Sequence, residues 1–141
     1  GLELQYKDIK PIILVEHYIE NNGNNLFDYK FYCFNGKAKY IQVIGNRNIN
    51  KHFAQEAFYS VEWKRQDFTY ENDIDKPKNL KEMIKIAEEL AKDFIYVRVD
   101  LYELDDGAIK FGEMTFTPAS GFDNWKPKKM NYILGDMIKM P

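Results

Sequence analysis

The sequence predicts an α+β domain built mainly on an antiparallel sheet with packed helices, and three observations carry that expectation. Two strand pairs are each joined by a dipeptide suited to a tight hairpin turn. One amphipathic segment with helix-start signals lies between them. Strands and helices do not alternate in the βαβ rhythm that a parallel sheet requires.

In chain order, Ile12, Ile13, Leu14 and Val15 form a short apolar run that reads as a buried strand, followed by a polar loop over 20–25. Residues 28–34 and 37–44 are rich in aromatic and β-branched side chains and flank Asn35-Gly36, a strong hairpin signal. From 46 to 76 no period holds, and the expectation is loop with one short strand. Leu80, Met83, Ile84, Ala87 and Leu90 recur at helical spacing over 80–92, a core stripe. Asn79 with Glu82 three residues later has the form of a capping box, and Pro77 precedes it. A second hairpin over 96–115 turns at Asp106-Gly107, a loop follows over 116–129, and a short helix closes the chain over 132–139.

Composition narrows the function. With 141 residues, 45% hydrophobic, the chain is long enough for one core, so residues 1–141 are expected to form a single domain. A net charge of −2 offers no electrostatic footprint for nucleic acid. The single Cys33 cannot form an internal disulfide, and within Phe31-Tyr32-Cys33-Phe34 it reads as a buried thiol in a reducing, cytoplasmic setting. No apolar run approaches the roughly 20 residues of a membrane span, so no membrane insertion is expected. The two histidines, His17 and His52, are too few for a histidine metal cage, and no Ser-His-Asp or Cys-His constellation has local support. Trp63, Tyr70, Phe122 and Trp125 read as cover for the sheet edge and core, with stacking against a sugar ring as the rival.

The second hairpin carries the chemistry. With Asp106 and Gly107 as the loop, Asp100 faces Glu113, and Arg98, opposite Thr115, shares their side of the sheet. Opposed carboxylates weaken a sheet unless something sits between them. Oxygen ligands so placed suit Mg²⁺ completed by phosphate and water, and the adjacent guanidinium suits a phosphate or acyl phosphate. A three-residue loop, 105–107, shifts the pairing by one and sets Glu113 diagonal to Asp100. The bland alternative is a solvated hairpin face.

These residues also carry a family resemblance. The order Glu16-His17-Tyr18-Ile19, Asp28-Tyr29-Lys30, Arg98-Val99-Asp100, Glu113-Met114-Thr115 and Pro118-Ala119-Ser120-Gly121 resembles the ATP-grasp superfamily. More narrowly, 29–37, 97–102 and 111–118 look like the TupA-like ATP-grasp branch of bacterial teichuronopeptide and surface-polysaccharide pathways.

The resemblance implies the C-terminal lobe of the ATP-grasp fold, with ATP and Mg²⁺ as cofactors. It makes Glu16, His17, Tyr18 and Ile19 the hinge whose backbone contacts adenine, and Asp28 the acceptor for ribose hydroxyls. Asp100, Glu113 and Thr115 become the metal ligands and Arg98 the basic group facing the transferred phosphoryl. Arg47 falls where related enzymes carry a substrate- or phosphate-binding arginine. Thr115 replaces the usual Asn of the motif, which implies one metal rather than two. No counterpart of the upstream glycine-rich lobe precedes Leu2, so the expectation is a portion of a longer protein whose missing N-terminal lobe completes it. The implied activity is a carboxylate–amine ligase working through an acyl phosphate on a small-molecule, glycan or peptide-polymer substrate. A nucleotide-sugar glycosyltransferase and a noncatalytic binding module are the rivals.

Overall fold

In the computed structural model, residues 6–19, 21, 26–45, 55–66, 73–121 and 125–140 are described. Five strands form one antiparallel sheet: β1 (Asp28–Phe34), β2 (Lys37–Gly45), β3 (Gln55–Ser60), β4 (Tyr96–Glu103) and β5 (Ile109–Thr115), in the order β3-β2-β1-β4-β5. Helices α1 (Leu80–Ala91) and α2 (Lys129–Gly135) complete the α+β architecture.

The first hairpin forms as its turn chemistry requires. Asn35 and Gly36 both take positive φ, 50° and 74°, as a type I′ turn demands. A Cβ on Gly36 would lie 3.1 Å from Lys92 Cα, so the close approach of the end of α1 also favours glycine there. β1 is central and every one of its residues is buried, including Asp28 and Lys30.

On one face of the sheet, Tyr29, Phe31 and Cys33 of β1 and Val97, Val99 and Leu101 of β4 join Leu80, Met83, Ala87 and Ala91 of α1 in the main core. Leu90, expected in that stripe, is instead partly exposed, because the buried face of α1 runs through Ala87 to Ala91. The capping box does not form. Asn79 makes no side-chain cap; its Nδ2 donates to Gly107 O at 3.0 Å, while the backbone N–H groups of Lys78 and Asn79 donate to the Glu103 carboxylate at 2.9 and 2.6 Å. The second hairpin therefore supplies the acceptors at the helix start that a local box would have supplied.

On the opposite face, α2 lays Met130 and Leu134 against Tyr32, Phe34 and Phe58, with Trp125 packed beside them. Those two buried residues, one turn apart, set the helix over Lys129–Gly135 rather than 132–139. The run 12–15 is a further correction: it is neither strand nor buried, with Ile13 94% exposed. An apolar run becomes a buried strand only where a sheet edge and a covering layer meet it, and the described sheet brings neither to this segment. Over 46–76 the expected short strand appears as β3.

Candidate functional site

The site face is set by alternation along two adjacent strands. Asp28 and Lys30 of β1 point away from α1, and the register pairs Lys30 with Asp100 and Tyr32 with Arg98 on β4. On the other side of β4, Asp100 pairs with Glu113 and Arg98 with Thr115. Three strands thus bring Asp28, Lys30, Arg98, Asp100, Glu113 and Thr115 onto one surface, beside the apolar half that α2 covers.

Both registers considered for the second hairpin occur in it. Leu104 pairs with Ala108 through a hydrogen bond of 2.9 Å, Gly107 N donates to Leu104 O, and Gly107 has φ 86°, so the loop holds three residues, 105–107. Near that loop Leu101 opposes Phe111; beyond a register shift Asp100 opposes Glu113. Gly112 is the extra residue of this bulge, and it restores the direct opposition of the two carboxylates.

The Arg98 guanidinium clamps Asp100 through two parallel bonds, Nε to Oδ1 and Nη2 to Oδ2, each 2.8 Å. Its Nη2 also reaches Glu113 Oε1 at 2.7 Å and Thr115 Oγ1 at 3.0 Å. The Thr115 hydroxyl donates to Glu113 Oε1 at 2.9 Å. Lys30 Nζ bridges Asp28 Oδ2 at 2.7 Å and Asp100 Oδ2. Among the described residues the cluster holds three carboxylates, Asp28, Asp100 and Glu113, and two cations, Lys30 and Arg98. Lys30 has no role legible in the sequence; its place two residues after Asp28 puts it on the same face, but only the β1–β4 pairing shows that it meets Asp100. The polar row continues onto β2 and β3: Tyr32 Oη donates to Gln42 Oε1 at 2.8 Å, and Gln42 Nε2 donates to the Glu56 carboxylate.

Burial pushes the Asp100 carboxyl above the ordinary carboxylate range, while the hydrogen bonds and charges of Arg98 and Lys30 pull against that rise. For Arg98, burial favours the neutral form, yet the bonds and charge of Asp100, with Tyr32 and Glu113, outweigh it and hold the guanidinium above its usual value. Glu113 is held below the ordinary range, first by the Thr115 hydroxyl, which outweighs the rise from burial, with the charges of Arg98 and Lys30 adding to it. Cys33, on the α1 face, has its thiol pushed up to about 12 by burial and by the charge of Glu88, which fits an inert core thiol.

Other expected site residues stand apart from the cluster. Among the described residues none of its bonds comes from 16–19, where Glu16, His17 and Tyr18 are exposed and Ile19 is half-buried. Arg47, His52, Tyr70 and Phe122 lie outside the described residues. Trp63 stacks on Tyr59 with ring centroids 4.1 Å apart, and Trp125 meets Tyr32 and Phe58 edge-on, so both tryptophans serve the core. Among the described residues no group of three or more His, Cys, Asp or Glu is placed to hold a metal, and no helix is long and apolar enough to cross a membrane. The donors of Asp100, Glu113 and Thr115 are all oxygens converging from two strands. They fit a hard divalent cation that draws its remaining ligands from phosphate and water.

No curated protein and no solved structure matches the chain. The family model TupA-like ATPgrasp matches residues 1–139. ATP-grasp families are generally ligase-type and use ATP with a divalent metal. By that match over nearly its whole length, the chain belongs to the TupA-like ATP-grasp family.

Proposed function

We propose that this chain supplies the nucleotide- and cation-facing surface of an ATP-dependent carboxylate–amine ligase acting in bacterial cell-surface polymer biosynthesis. The observation that carries the reading is the convergence of Asp28, Lys30, Arg98, Asp100, Glu113 and Thr115 on one face of β1, β4 and β5. In the reaction, a substrate carboxylate attacks the γ-phosphorus of ATP and ADP leaves, giving an acyl phosphate. An amine then attacks the acyl carbon, phosphate departs, and the amine proton is lost as the amide forms. Phosphoryl transfer of this kind depends on positioning and charge neutralisation and needs no protein nucleophile.

Each residue has a role in that scheme. Asp28 accepts hydrogen bonds from the ribose hydroxyls, and the backbone of 16–19 meets the adenine. Asp100, Glu113 and Thr115 hold Mg²⁺, which neutralises the phosphate charge when bound. Arg98 offers two N–H groups in a plane to the transferred phosphoryl, a fork that suits a phosphate better than a point charge does. Lys30 keeps Asp28 and Asp100 at a fixed spacing, and Arg47 contributes to substrate or phosphate binding.

Thermal unfolding of the chain and of Asp100→Asn, each with and without Mn²⁺ and ADP, tests the reading. A ligand bound only by the folded state at about 100 times its Kd adds about 2.7 kcal/mol of stability. The wild type is expected to gain melting temperature with Mn²⁺ and ADP together, and Asp100→Asn to lose most of that gain. Equal gains in both chains would place the cation elsewhere. Stabilisation by a nucleotide-sugar but not by ADP would move the assignment to glycosyl transfer.

A further inference from the structure

One nitrogen of Arg98, Nη2, lies 2.8 Å from Asp100 Oδ2, 2.7 Å from Glu113 Oε1 and 3.0 Å from Thr115 Oγ1. Those are the three side chains assigned above to the divalent cation. An Nη2 group has two hydrogens to offer three acceptors, so its position reflects the convergence of negative potential on one point as much as individual hydrogen bonds. Resting on the cation role proposed for Asp100 and Glu113, we infer that Arg98 is a built-in counter-ion of the cation site, exchanged for the metal when the site fills.

The two halves of the arginine's grip differ in a way that makes exchange feasible. Asp100 is buried, held bidentately by Arg98, and also ion-paired to Lys30. The Glu113 side chain is 62% exposed, so its bond to Nη2 competes with water and is the weaker of the two. Were a cation held by Asp100, Glu113 and Thr115, Lys30 would still compensate Asp100 from the β1 side. The released guanidinium then turns toward the anion that accompanies the metal. A phosphate that draws Arg98 away removes the cation's competitor, and a cation that displaces Arg98 frees a phosphate-binding fork. By linkage each ligand raises the affinity of the other by the same factor. The site therefore resists filling by metal alone and fills readily when metal and polyphosphate arrive together.

Mn²⁺ titration of the full chain without nucleotide, read by electron paramagnetic resonance, tests this on wild type, Arg98→Gln, Arg98→Lys and Asp100→Asn. Arg98→Gln removes the guanidinium charge and its bonds to Asp100 and Glu113, and is expected to tighten Mn²⁺ binding by at least about ten-fold, the equivalent of one charge-assisted bond. Arg98→Lys keeps a charge beside buried Asp100 but cannot clamp it and bridge to Glu113 together, so it tightens binding less; it carries the test if Arg98→Gln does not fold. Binding by these variants that equals or falls below wild type, with Asp100→Asn abolishing it, overturns the counter-ion role and leaves the cation site in place. Absence of Mn²⁺ binding in wild type and both Arg98 variants overturns the cation site and the counter-ion role together.

Discussion

At the scale of single residues, the cluster is governed by the contrast between a buried acid and an exposed one on neighbouring strands. Asp100 is tied to two cations, and its removal from water works against its ionised form. Glu113 faces solvent and is favoured in its ionised form by Thr115 and Arg98. Because its folded pKa lies below the unfolded value, Glu113 contributes stability that is present above the ordinary glutamate range and is lost as pH falls through the folded pKa. Glu113 itself is largely exposed, so the effect is about a few tenths of a kcal/mol. Melting curves of wild type and Glu113→Gln are expected to differ near neutral pH and to converge in acid. A constant gap at every pH would show that Glu113 acts by packing and not by charge. The opposed pair of Asp100 and Glu113, with Arg98 on their side of the sheet, is legible in the sequence; what is not is Lys30, which enters from a strand 70 positions away.

At the scale of elements, the bulge at Gly112 links hairpin geometry to the site. A Cβ at this position would lie 3.0 Å from both Asp100 O and Tyr102 Cε2, so part of the contact is with backbone, which cannot rotate away. Gly112→Ala is expected to lower stability by about 1–2 kcal/mol, the order of an overpacking substitution. It should also weaken Mn²⁺-dependent stabilisation, because the strain falls on the peptide that carries Asp100. Chemical denaturation with and without Mn²⁺ measures both effects; an unchanged metal response would mean that the opposition of Asp100 and Glu113 does not depend on the bulge. From a two-residue loop the sequence predicts Asp100 opposite Glu113. The loop has three residues, and the bulge compensates for the difference. A tight turn is readable because positive φ has a residue signature, whereas a bulge in mid-strand depends on how two strands twist together.

At the scale of the whole molecule, one sheet serves two purposes. Its α1 face is a continuous apolar core. Its other face is divided between the aromatic patch under α2 and the charged cluster beyond it. Met130 and Leu134 are the contacts by which α2 covers that patch, and truncating a buried leucine typically costs 2–5 kcal/mol. Leu134 keeps 8% of its surface and its helix is short, so Leu134→Ala is expected near the lower end, about 2 kcal/mol. Since α2 supplies no bond to the cluster, Mn²⁺ affinity measured by titration should hold within about two-fold, as for independent sites. A larger loss would show that α2 positions the charged half as well as covering the apolar half.

The sequence by itself determined the two hairpins, the span of α1, the antiparallel α+β class and the candidate carboxylate pair. These rest on local signals: turn dipeptides that accept positive φ, periodicity along one segment, and side-chain alternation over a few residues. Only the tertiary structure decided that β1 lies at the centre between β2 and β4, that Lys30 ties Asp28 to Asp100, and that Glu103 and Gly107 serve the start of α1. It also decided that Ile12 to Val15 lie exposed while α2 starts at Lys129. Each of these is a choice among partners distant in the chain, made by which surfaces bury apolar area and satisfy charge together, and no single segment holds that information.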